Sequence, residues 1–105
     1  ADLQHWLEQD EVLATSAIAW MEFVTGPASP ELIDSIRHAI GGRIVAFGHD
    51  EAELAADLFN FAGRKRSLRY DCMIAAVAVN AGAHLATLNR QDFQIFVPHG
   101  LDLAR

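Results

Sequence analysis

At 105 residues, with 51% hydrophobic and 21% charged side chains, the chain has the make-up of one globular domain, and disorder or a second domain is excluded. A net charge of −6 argues against nonspecific nucleic-acid binding by the surface as a whole, and the lone Cys72 excludes an intrachain disulfide or a cysteine-based zinc knuckle. No apolar run reaches the roughly 18 residues of a membrane span and no signal-peptide pattern opens the chain, so a cytoplasmic protein with no membrane partner is expected.

Leu3, Trp6 and Leu7 recur at helical spacing and predict a short opening helix that Gln9, Asp10 and Glu11 end. Residues 12–15 form an apolar run long enough for a buried strand. Ser16 is placed to cap a helix bearing Ile18, Met21, Glu22 and Phe23, which Gly26 and Pro27 stop. Ser29 as N-cap and Pro30 at the first helical position open the next helix. Leu32, Ile33, Ile36 and Ile40 mark its apolar face, and Gly41 and Gly42 end it. Residues 43–47 read as a second strand. Asp50, with Glu53 three positions on, predicts a capping-box start for a long amphipathic helix. Leu54, Ala55, Leu58, Phe59 and Ala62 are its apolar face and Gly63 its end. A basic run follows, Arg64, Lys65, Arg66 and Arg69, holding four of the eight basic residues of the chain. Asp71 opens an Ala-rich helix with Ile74, Ala75 and Ala78 on its face, and Gly82 stops it. Residues 85–87 read as a third strand and 95–97 as a fourth. Repeats and low-complexity segments are absent from the sequence.

Short apolar runs alternating with helices imply an α/β fold with a parallel sheet covered on both faces. Functional groups in such folds collect beyond the carboxyl ends of the strands. Glu22 follows the first strand, Asn89 and Asp92 follow the third, and Asp71 starts a crossover helix at that same end. Each has an ordinary alternative. Glu22 can face water on a helix, Asp71 can simply complement the helix dipole, Asp92 can cap a short turn and Asn89 can serve a turn. The basic run can be a solvated loop or a rim that steers phosphate. Taken together the acids suit Mg²⁺ or Mn²⁺, hard cations that take oxygen ligands and promote phosphodiester hydrolysis. The five histidines show no i,i+4 pair, which disfavours zinc, and no Ser-His-Asp arrangement or Gly-rich phosphate loop competes.

In these residues the chain resembles a PIN domain, and among PIN domains the VapC-like ribonuclease toxins of toxin–antitoxin pairs. The likeness is carried by the segment from Ser16 to Gly26, by Tyr70-Asp71-Cys72-Met73-Ile74-Ala75-Ala76, and by the segment from Gly82 to Phe93 with its Thr87, Asn89 and Asp92. Gly100-Leu101-Asp102-Leu103 also fits. The resemblance implies a three-layer α/β/α PIN-like fold with a mostly parallel central sheet. It further implies a metal-dependent endoribonuclease with Glu22 and Asp71 as metal-site carboxylates and either Asn89 or Asp92 as the last acidic position. Ser16 and Thr87 would support the site, and Arg64, Lys65, Arg66 and Arg69 would bind RNA. The partners implied are an RNA substrate, a VapB-like antitoxin and a second copy of the chain in a homodimer.

One departure from the family pattern stands at the start. PIN domains open on a strand ending in an acid, whereas Asp2 precedes a helix-like segment and Asp10 precedes its strand. The expectation is therefore a single PIN-like domain over 1–105 that lacks its first strand, the chain being shortened at its N-terminus. The alternative function is a catalytically silent PIN-like module that acts by protein–protein binding.

Overall fold

The computed structural model describes residues 14–87 and 89–104. The expected opening helix, the positions of Asp2 and Asp10, and the beginning of the 12–15 strand lie outside the described residues, as does the question of a missing first strand. The chain divides into two compact units, Ala1–Ala46 and Phe47–Arg105.

In the first unit, β1 (Thr15–Ser16) runs directly into α1 (Ala17–Thr25). The turn from strand to helix is made by Ser16, whose Oγ accepts the N–H of Ala19 at 3.0 Å and so satisfies a donor that the first helical turn leaves orphaned. Gly26 closes α1, as its position before Pro27 implies. Ser29 repeats the device for α2 (Pro30–Ile40), accepting from Leu32 N–H at 3.1 Å with Pro30 at the first position. Gly41 ends α2 in the left-handed region at φ +60°, where a Cβ would be strained. Ile36 and Ile40 are buried, one turn apart on the predicted face. The Arg37 guanidinium lies 5.6 Å from the Trp20 ring centroid, a cation–π contact that ties α2 to α1. The second strand is shorter than the 43–47 run suggests. β2 is Ile44–Val45, and it pairs in parallel with β1, Thr15 opposite Ile44 and Ser16 opposite Val45.

The second unit is built on two helices, α3 (His49–Phe61) and α4 (Arg69–Ala81). α3 starts earlier than the expected Asp50 and Glu53 cap. Gly48 is the N-cap, and the Glu51 carboxylate reaches back to its N–H at 3.0 Å. Glycine has no side chain to return the bond, so only one half of a capping box forms. The same carboxylate accepts from the Asn80 amide at 3.0 Å. The Asn80 amide and then the Gly48 N–H hold the Glu51 carboxyl below its ordinary range. α3 and α4 both end in Schellman turns. Gly63 and Arg64 donate to Asn60 and Phe59 carbonyls at 3.2 and 2.9 Å, and Gly82 and Ala83 to Val79 and Ala78 at 3.1 and 3.0 Å. Ala75 and Ala76 are fully buried in α4, with Leu58 of α3 only 1% exposed.

After α4 comes β3 (His84–Leu85), which pairs in parallel with β4 (Asp102–Leu103). Between them lie the short α5 (Arg90–Phe93) and a 3-10 turn, Gln94–His99. The predicted strand at 95–97 is therefore wrong. The apolar residues there bury with a period of three, not two: Phe93 and Phe96 are inside, whereas Ile95 and Val97 are exposed. Pro98 also withholds a backbone donor that a ladder would use. The α/β class with parallel strands is as the sequence implies. The described strands are two residues long and pair two by two, one pair within each unit. Among the described residues no helix is long and apolar enough to cross a membrane.

The burial pattern at 93–97 predicts that Phe96→Ala costs about 3–5 kcal/mol, as large core truncations do. Ile95→Ala and Val97→Ala should each cost under ~1 kcal/mol, since exposed positions contribute little. Urea unfolding of the three variants reads the difference directly; equal losses would restore the strand.

Candidate functional site

The structure distributes the four sequence-nominated groups unevenly. Glu22 lies in the middle of α1 and is exposed. None of the residues of α1 is buried, and its neighbours Met21 and Val24 are exposed as well. A desolvation cost relieved by a cation therefore does not apply to Glu22, despite its apolar company in the sequence.

Asp71, Asn89 and Asp92 all belong to the second unit. Asp71 stands on the first turn of α4, half-buried, where the aligned N–H dipoles favour a negative charge. Behind it, Cys72 is 1% exposed. Burial first, and the Asp71 charge second, push the Cys72 thiol up from its ordinary range. Asn89 and Asp92 are exposed on the turn that β3 feeds. Thr87 Oγ1 accepts the Asn89 N–H at 3.0 Å, and the Asn89 carbonyl accepts the Asp92 N–H at 3.0 Å, so Thr87 sets the backbone from which both groups project. This segment is held near α4, which packs against both β3 and α5. The Arg90 guanidinium adds a hydrogen bond to the Ala104 carbonyl. Ser16 is buried, and its hydroxyl is committed to the N-terminus of α1.

The basic run is not one uniform loop. Arg64 takes the left-handed conformation at φ +59°, the one described non-glycine residue to do so. Such a backbone persists only where the surroundings fix it. Here they do. Its N–H completes the Schellman turn on the Phe59 carbonyl, its guanidinium donates to Asn60 Oδ1, and the guanidinium carbon lies 5.5 Å from the Phe59 ring centroid. The Arg69 guanidinium carbon lies 5.2 Å from the same centroid. Phe59, read from sequence as one more apolar-face residue, is thus the seat of two cations. The signal available in sequence was an aromatic near a helix end with arginines five and ten positions on. Lys65 and Arg66 are exposed, and their side chains have no hydrogen bond or ion pair among the described residues.

The carboxylates of Glu22, Asp71 and Asp92, with the Asn89 amide, are hard oxygen donors of the kind Mg²⁺ and Mn²⁺ accept. Among the described residues no three His, Cys, Asp or Glu side chains gather closely enough to hold an ion by themselves. A Mg²⁺ site commonly needs only one or two carboxylates completed by water and substrate phosphate, so the donor set fits such an ion in kind.

With this geometry in view, comparison with known proteins is decisive at the level of family. The PIN-domain model matches residues 1–95, and the chain belongs to the PIN-domain family. Two solved structures share its fold at 22% identity. One, the structure of FitAB bound to an IR36 DNA fragment, superposes with a TM-score of 0.73 over 96% of this chain and 79% of that one. The other, the crystal structure of FitAcB from Neisseria gonorrhoeae, gives 0.69 over 96% and 82%. Comparison with curated proteins finds no match.

The packing behind Asp71 makes a checkable statement about Cys72. Its thiol should be inert to a disulfide reagent at mildly alkaline pH in the folded protein and react fully in denaturant. Asp71→Asn, which removes the adjacent negative charge, should lower the pH at which the native thiol begins to react. A wild-type thiol that reacts as fast folded as unfolded would contradict the packing.

Proposed function

We propose that the chain acts as a metal-dependent endoribonuclease, the toxin component of a VapBC-type toxin–antitoxin pair, as one PIN-like domain. The observation that carries this reading is the PIN-family match over 1–95, which supports nuclease chemistry and includes Asp71 at the head of α4. In this reading Glu22, Asp71 and either Asn89 or Asp92 are the metal-site groups. Bound by them, Mg²⁺ or Mn²⁺ supplies a water of lowered pKa and neutralises charge developing on an RNA phosphodiester. Thr87 positions Asn89 and Asp92 through the backbone bonds described above. The run from Arg64 to Arg69 concentrates positive charge in an otherwise acidic chain and draws the RNA backbone toward the acids. A VapB-like antitoxin and a second copy of the chain are the proposed protein partners. The exposed Met21 and Val24 of α1 are apolar surface of the kind such contacts use.

A second reading is a catalytically silent PIN-like module that works by protein binding, and what supports it is the exposure of Glu22 together with the apolar Met21 and Val24 on the same helix.

Two experiments on the full protein separate them. Asp71→Asn should reduce Mg²⁺-dependent RNA cleavage by about 100-fold or more, since even outer-shell partners of a metal are worth about 10- to 100-fold. Undiminished cleavage would remove Asp71 from the site. Millimolar Mn²⁺ should raise the melting temperature by about 4 °C or more through mass action, and Asp71→Asn should abolish the shift. A wild-type midpoint indifferent to metal favours the silent module.

A further inference from the structure

The reaction described above leaves two exposed aromatic side chains unused, Phe61, whose ring lies against that of His99, and Tyr70. Tyr70 is 52% exposed on the first turn of α4, between Arg69 and Asp71. No hydrogen bond or ring contact engages it among the described residues. A tyrosine serving stability would bury its ring and find a partner for its hydroxyl. This one does neither.

Its surroundings define what the ring is for. Half of the basic residues of a chain with net charge −6 lie at 64–69, directly before it. Arg64 and Arg69 are held on Phe59, and Arg64 is held in a left-handed backbone as well. Lys65 and Arg66, between those anchors, project without partners among the described residues. Anchored cations beside a free aromatic face are the pairing that binds single-stranded nucleic acid. The phosphates follow the cations, and an unstacked base lies on the ring. Duplex RNA keeps its bases stacked inside the helix and has no face to offer. A protein surface that covered the ring and the cations would leave single-strand RNA binding indifferent to Tyr70.

We propose that Tyr70 is the stacking platform for an unpaired base of a single-stranded RNA, with Lys65 and Arg66 on the flanking phosphates. The inference rests on the ribonuclease reading and adds Tyr70 to it as a substrate-positioning residue. Because Tyr70 and Asp71 are consecutive, a base seated on the ring delivers its backbone to the turn that carries the acid. Stacking tolerates every base, so this contact selects for strandedness and leaves sequence preference to other residues.

The test is binding, in EDTA so that RNA stays intact, of a labelled single-stranded oligoribonucleotide of about 12 nucleotides and of the same strand annealed to its complement. Tyr70→Ala in the full protein should weaken single-strand binding about tenfold, while duplex binding and the salt slope stay as in wild type. Tyr70→Phe should retain wild-type affinity, and matched melting temperatures show that both variants fold. Replacing Lys65 and Arg66 together by Ala should shallow the single-strand salt slope by about 1.4, at roughly 0.7 per phosphate contact. If that slope flattens but Tyr70→Ala binds single strands like wild type, the RNA surface stands and the platform is overturned. Equal losses on single strand and duplex, or a Tyr70→Phe loss as large as that of Ala, overturn it too. If wild type binds neither RNA, or its slope ignores Lys65 and Arg66, the ribonuclease surface fails and Tyr70 with it.

Discussion

The close approach of α3 and α4 is the contact on which the second unit depends. Ala75 and Ala76 present almost no side chain, so Leu58 and Ala55 of α3 can bury themselves against α4. The pair is antiparallel and fastened at both ends. Asn80 near the end of α4 meets Glu51 near the start of α3, and Arg69 at the start of α4 meets Phe59 near the end of α3. The first fastening is a hydrogen bond to a carboxylate and the second a cation on an aromatic face, both in solvent where each is worth little alone. Their joint effect is registration. Sliding α4 by one turn would break both at once and carry Asp71 with it.

That registration explains why the loop between the helices can hold a strained residue. The Schellman turn at Gly63 sends the chain back along α3, which brings the Arg64 N–H onto the Phe59 carbonyl and its guanidinium over the Phe59 ring. The left-handed backbone of Arg64 follows from satisfying three contacts simultaneously, each weak and all mutually consistent. Held over the Phe59 ring, Arg64 and Arg69 form no ion pair among the described residues. A cluster neutralised by internal ion pairs would have no field left for an external anion.

The sequence made legible those features that depend on neighbours along the chain. Ser16, Ser29, Pro30, Gly41 and Gly82 were readable as caps because capping is settled within four residues. The buried faces of α2, α3 and α4 were readable from their 3.6-residue period, except that Leu32, read onto the α2 face, is exposed at the first turn. What failed was decided by competition. Asp50 and Glu53 had the spacing of a capping box, but Gly48 and Glu51 had it too, and the second pair gained Asn80 as an added partner from α4. Ile95 and Val97 looked like a strand because β-branched residues favour strands. Two phenylalanines three apart outweighed them by burying more surface. For the candidate site, residue types and order were legible, but the turn that places Thr87, Asn89 and Asp92 was not, since residues 85–87 read as a strand whereas β3 is His84–Leu85. The exposure of Glu22 was not, since apolar neighbours in sequence do not say whether a helix is covered.

The first turn of α4 compresses three chemistries into consecutive positions, and their order follows from helix geometry. Arg69 points back to Phe59 and closes the hairpin. Cys72, three residues on, is buried and anchors the turn from within. Tyr70 and Asp71 lie about 100° apart around the axis between those two and turn outward by default. An acid placed there, half-buried on the first turn, gains from the helix dipole. The tyrosine beside it gains less, because its ring stays in water instead of joining the core. That exposed ring, directly before the acid and directly after the basic run, is the surface on which the proposed single-strand contact rests.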